Sequence, residues 1–145
     1  MQKLNLKKSE NSANITLMID IEKQIEFWVE GAEAALDTAR ILIKKKKHLH
    51  GLFFCHLTIE KIIKAHVVRE TSQIPPKSHN LFRLLENTGI EVTEEDAEFF
   101  GILMKYQLEG RYPDYNPQIP EKRKVKEYFQ KTKEMLLWLK KKLSR

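Results

Sequence analysis

Between His48 and Glu70 the chain reads HLHGLFFCHLTIEKIIKAHVVRE, a stretch without proline. Wound as a helix, it carries apolar side chains on nearly every side, among them Leu52, Phe54, Ile59, Ile62, Ile63 and Val67. A helix with so little polar surface has to be surrounded by other elements. The rest of the chain must therefore supply the walls, and the class of solution this favours is a helical bundle with this segment at its centre.

The flanking sequence supplies those walls. The spacing predicts a first helix from about Asp20, a residue suited to an N-cap, to about Lys46. Ile25, Trp28, Ala32, Ala35, Ala39 and Leu42 advance by three and four, and the small residues among them allow a neighbour to approach closely. Residues 1–19 read as a poorly ordered or partly helical leader, which leaves 20–145 as the single domain. Pro75 and Pro76 stop the central helix. A short helix is expected from Ser78 or His79 through Leu85, ended by Gly89. Thr93 with Asp96 resembles a capping box and opens a fourth helix to about Gly110, with Phe99, Phe100, Leu103 and Tyr106 or Gln107 facing inward. After the turn-rich RYPDYNPQIP, Pro120 starts a fifth helix on Val125, Phe129, Thr132, Leu136, Leu139 and Leu143. The expected fold is all-α, an up-and-down bundle of four long helices and one short one. No stretch alternates as a strand would.

At 145 residues, with 41% hydrophobic and 32% charged residues, the chain is one domain with enough apolar content for a core. Its one cysteine, Cys55, excludes a disulfide framework and a cysteine-rich zinc site, reads as a small buried hydrophobe, and fits a reducing cytoplasm. No apolar run approaches a membrane span, and the amino-terminal MQKLNLKKSENSAN lacks the apolar region of a signal peptide. The net charge of +6 is unevenly placed. From Pro120 onward there are ten Lys or Arg against three acids, so the whole surplus lies on the last segment. Such a helix is either a solvated face or a surface for phosphates or an acidic partner.

Glycine-rich phosphate loops, a serine nucleophile elbow and HExxH are all missing from the sequence. What stands out is a polar stripe on the central helix: His56, Glu60 and Lys64, at steps of four, with Lys61 beside them. Charges on an otherwise apolar helix need partners. Either Glu60 pairs with Lys64 in an internal network that locks helix register, or the stripe lines a cleft for a ligand or second subunit. His56 and Glu60 offer two metal ligands but no third lies nearby, so no metal is expected. His50 and His66 read as surface or satisfied core residues. The second concentration of chemistry is Gly110-Arg111-Tyr112-Pro113-Asp114-Tyr115. Arg111 could bind a phosphate or pair with Glu60 or Asp114, and Tyr112 or Tyr115 could stack a base or plug the bundle end.

In order, LFFCHLTIEKIIKAHVV, IPPKSHNLFRLL and YQLEGRYPDY resemble the HEPN domain, the "higher eukaryotes and prokaryotes nucleotide-binding" helical bundle. The first helix, WVEGAEAALDTARILIKKKKHLHGLFFCH, resembles that family's opening, and the likeness covers about residues 20–143. The resemblance implies a bundle that is often a homodimer and is often encoded beside a minimal nucleotidyltransferase, some pairs acting as toxin and antitoxin. It also implies that other members are metal-independent ribonucleases with an Arg-x4-6-His motif. This chain departs from that motif: the positions four to six residues beyond Arg111 lead to Asn116, Pro117 and Gln118, and Arg40 and His48 are seven residues apart. Asparagine cannot transfer the proton.

By that resemblance the chain is a cytoplasmic, non-catalytic nucleotide- or RNA-associated module that needs no cofactor. It would be dimeric and partner a nucleotidyltransferase. Lys61, Lys64, His79 and Arg111 would contact phosphate while Tyr112 or Tyr115 stacks. The alternatives are an atypical endoribonuclease using Arg111 with His56 or His79, and a purely structural dimeric adaptor.

Overall fold

The computed structural model describes residues 2–107 and 118–144, with side chains from residue 20 onward. Its elements are α1 (Gln2–Lys44), α2 (His48–Thr71), α3 (Leu81–Leu85), α4 (Glu94–Met104) and α5 (Lys122–Leu143). There is no strand among the described residues, and the expected all-α bundle of four longer helices and one short one is what forms.

α2 is the hub. It packs on each of the other four helices, and most of its residues are buried. Ala32, Ala35 and Ala39 of α1 are all buried, as their size and spacing require. The two helices approach closely at Gly51, where a Cβ would stand 2.5 Å from Cγ1 of Ile43 and 3.4 Å from the carbonyl oxygen of Ala39. Only a residue without a side chain lets α1 and α2 meet there. The two helices are joined by a tight reversal in which Lys47 N–H donates to the Leu42 carbonyl and Lys46 N–H to that of Ile43. This is the Schellman arrangement. It puts Lys46 in the left-handed region at φ 64°, a position that ordinarily falls to glycine.

α5 closes the other side of α2. Val125, Thr132, Leu136, Leu139 and Leu143 are buried on the expected stripe. His66 of α2 donates from Nε2 to the Leu139 carbonyl at 2.8 Å, which ties the two helices in the interior. Phe99, Phe100, Leu103 and Tyr106 carry α4 and the turn after it into the same core.

Four boundaries differ from the sequence expectation. α1 begins at Gln2, so Asp20 is an interior position and not a cap. Nothing in residues 2–19 is a glycine or proline that would break it. The cap of α3 is Asn80 and not Ser78 or His79, because its side chain accepts from both Phe82 N–H and Arg83 N–H. α4 ends at Met104, where Lys105 and Tyr106 turn back to the carbonyls of Ile102 and Leu103. That is a tightened last turn, and residues 108–110 lie outside the described residues. α5 begins at Lys122 with Glu121 at its N-cap, so Pro120 sits just before the helix. The expected cap of α4 is found: Thr93 accepts from Asp96 N–H at 3.1 Å.

Candidate functional site

The periodicity that places His56, Glu60 and Lys64 on one face of α2 says nothing of depth, and the depth is considerable. Their side chains are 2%, 4% and 7% exposed. Glu60 is the centre. Its Oε2 accepts from Lys64 Nζ at 3.2 Å, and its Oε1 accepts from Nδ1 of His79 at 2.9 Å. His56 turns the other way and donates from Nε2 to the carbonyl of His79 at 3.0 Å, while its Nδ1 stands 3.9 Å from Glu60 Oε1. Lys64 Nζ also lies 5.2 Å from the centre of the Trp28 ring, so an aromatic face of α1 covers the ammonium.

A buried carboxylate is tolerated only when its charge is met and its lone pairs are used. Both conditions hold here. Lys64 supplies the charge and two donors supply the hydrogen bonds, one from α2 and one from the connector at residues 72–80. The network therefore does two jobs. It anchors the connector to α2 through both the ring and the backbone of His79, and it fixes how that ring faces. Because the carboxylate accepts, Nδ1 carries hydrogen whether the ring is neutral or charged. Nε2 is the nitrogen left over, and the His79 side chain is 47% exposed. In its neutral form it can accept at Nε2, and in its charged form it can donate there.

Of the residues singled out in the sequence, the fold brings His56, Glu60, Lys64 and His79 together. The stripe is interior, and Lys64 holds Glu60 and does not lie open to solvent. Lys61 is not part of the network. It lies along α1, where its Cδ comes within 3.1 Å of a Cβ placed at Gly31. Arg111, Tyr112 and Tyr115, with the rest of the RYPDY segment, lie outside the described residues. The sequence singled out His79 but not its bond to Glu60. The bond joins residues nineteen apart across a double proline, and no helical spacing reports that.

Burial governs two other titratable groups. It pushes the Cys55 thiol up to about 12, against a smaller opposing effect from a hydrogen bond with Thr132. It holds His66 below its ordinary value, opposed by the bond to Leu139 and reinforced by Arg69 and Lys142. Cys55 is fully buried, whereas His66 lines a cavity of about 290 Å³ with Arg69, Glu70 and Lys142. Among the described residues no group of three or more His, Cys, Asp or Glu stands close enough to hold a metal ion, and no helix is long and apolar enough to cross a membrane.

The HEPN domain family model matches residues 25–143. This chain belongs to the HEPN family. The match begins inside α1 and ends at the last residue of α5, so the HEPN domain takes in the helical bundle apart from the first part of α1. HEPN domains are nucleotide- and RNA-associated modules. No curated protein and no solved structure matches the chain.

Proposed function

We propose that this HEPN domain is a non-catalytic nucleotide- or RNA-binding module, acting in the cytoplasm as a homodimer that docks a minimal nucleotidyltransferase, with a toxin–antitoxin pair as its setting. The observation that carries the ligand half is the half-exposed His79 ring held by a buried carboxylate. A pre-oriented imidazole edge on a rigid anchor is suited to a phosphate oxygen, because little side-chain freedom is lost on binding. In this reading His79 makes the contact. Glu60, His56 and Lys64 position it. Lys61 and Arg111 contribute further positive charge, and Tyr112 or Tyr115 stacks the base. The partner half rests on family membership alone.

Titration calorimetry with ATP, GTP and an eight-nucleotide oligouridylate tests the ligand half. Binding to the wild type, weakened at least tenfold in His79→Ala, is the expected result. No heat and no thermal shift at millimolar ligand would remove it. Light scattering of the purified chain tests the dimer. A pull-down from the native host that returns no nucleotidyltransferase would remove the partner.

One observation favours a second reading, an atypical metal-independent endoribonuclease. A histidine whose Nδ1–H is held by a carboxylate presents Nε2 as a general base does. His56 is too buried to share that task, and Arg111 would supply the charge for the developing oxyanion. Incubation of cellular RNA in EDTA decides it. If wild type, His79→Ala and Arg111→Ala all leave the RNA equally intact, this reading goes.

A further inference from the structure

At the end of the bundle where α1 finishes and α5 starts, Arg40, Lys44, Lys46, Lys122 and Lys126 line one cavity of about 390 Å³. Its apolar lining is Ile43 and Phe129, and among the described residues no acid lines it. Among the described residues Lys44, Lys46, Lys122 and Lys126 make no ion pair, and Arg40 alone is tied, to Asp37 at 2.6 Å. Arg40 also lies 5.7 Å from the Phe129 ring centre, which fixes its head over the floor. None of these residues belongs to the Glu60 network.

Two of the five are placed against the interests of the fold. Lys46 occupies the left-handed turn position that a glycine would take without strain. Lys122 opens α5, whose first turn holds no acid and whose N-cap makes no side-chain hydrogen bond. A helix start favours negative charge, yet beyond Glu121 at the N-cap, whose side chain makes no capping hydrogen bond, this one opens on Lys122, Arg123 and Lys124. Lys44 alone has an ordinary explanation, since cations suit the last turn of α1. Departures from local stability rules that converge on one concavity mark a functional site. Like charges crowded round one hollow also repel one another until an anion enters.

The geometry points to a second, phosphate-binding site here, one that takes a chain of linked phosphates rather than a single ion. Arg40 and Lys44 are one turn apart on α1, and Lys122 and Lys126 are one turn apart on α5. Two helices thus contribute paired cations to one trough, and successive charges along a polyphosphate or a phosphodiester strand would meet both pairs. The α5 amides add donors at one end of the trough.

Calorimetry and thermal melts of the full chain with sodium tripolyphosphate and with oligouridylate test it, using wild type, Lys122→Glu/Lys126→Glu, Lys46→Gly and His79→Ala. Wild type should bind at low salt. The double variant should lose at least tenfold in affinity, and its salt dependence for oligouridylate should become shallower by about 1.4 in log–log slope. Lys46→Gly should weaken binding while raising the melting temperature of the free protein, which separates loss of a contact from loss of the fold. Tighter binding of oligouridylate identifies a strand as the occupant, and binding of tripolyphosphate alone identifies a free polyphosphate group. The site is overturned if wild type binds neither probe, or if the double variant binds both as wild type does. His79→Ala removes the His79 contact but should keep the tripolyphosphate binding of the trough, which adding Lys122→Glu/Lys126→Glu in that background should then abolish. Loss in His79→Ala alone would overturn this site and support the His79 site instead.

Discussion

The Nδ1 of His79 donates to Oε1 of Glu60 across 2.9 Å, joining a ring in the connector to a carboxylate in the middle of the bundle. The same carboxylate holds the Lys64 ammonium through its other oxygen. One acid thus answers for the charge of a buried lysine and the direction of a surface histidine.

Replacing that acid should be costly. Glu60→Gln leaves Lys64 charged in the interior without a counter-ion, a loss of about 3–5 kcal/mol. Urea unfolding followed by circular dichroism measures it. Glu60→Gln/Lys64→Met should recover most of the loss, because it removes the stranded charge as well. A single variant as stable as wild type would mean that the pair contributes nothing.

His66 predicts a pH dependence of stability. Its folded pKa is held below the ordinary 6.5, chiefly by burial. The unfolded chain therefore takes up a proton at higher pH than the folded one does. The contribution of this residue is fully present above about 6.5 and drains away as the pH falls through the folded value. His66→Gln should be less stable at neutral pH and lose less on going from pH 7.5 to 5.5. Parallel pH profiles for variant and wild type would contradict this.

Cys55 should be silent in the native protein. With the thiol raised from 9.0 to about 12, thiolate at a given mildly alkaline pH is about a thousandfold scarcer than for a free cysteine. Labelling by a disulfide reagent at pH 8 should proceed at the rate of unfolding and accelerate with urea. Rapid labelling without denaturant would show that the core opens there.

Gly51→Ala should destabilise the chain. The added methyl meets Ile43 at 2.5 Å, and overpacking of this kind costs about 1–3 kcal/mol, more than the helix gains from alanine. In an Ile43→Ala background the same change should become neutral or stabilising. Thermal melts of the four proteins form a closed cycle, and equal effects in both backgrounds would show that the contact is irrelevant.

Much of this was legible in the sequence because it depends on local spacing. α2 announced itself as central through an apolar surface with no free side, and the α5 stripe from Val125 to Leu143 is buried as spaced except at Phe129, which is only partly buried. Thr93 was readable as a cap because its partner is three residues away. The features that were not legible depend on distance or depth. Asn80 outcompetes Ser78 as the cap of α3 by a choice between neighbouring polar side chains that composition does not decide. Asp20 looked like a start because helix beginnings favour aspartate, yet the helix was already running. The stripe at His56, Glu60 and Lys64 was visible as a pattern, but whether it met water or protein turned on how α1 and the connector close over it. The cation trough draws on residues some eighty positions apart. In the sequence it showed only as a basic final segment.

The described hydrogen bonds that link His56, Glu60, Lys64 and His79 lie within one unbroken stretch of chain, α2 and the connector that follows it. The outer helices can therefore drift in sequence, so long as they still roof it and keep an aromatic ring over Lys64, without rewiring these hydrogen bonds. Such a self-contained cassette could be transplanted whole or inherited through deep divergence, and it would persist after the surrounding scaffold had ceased to look alike.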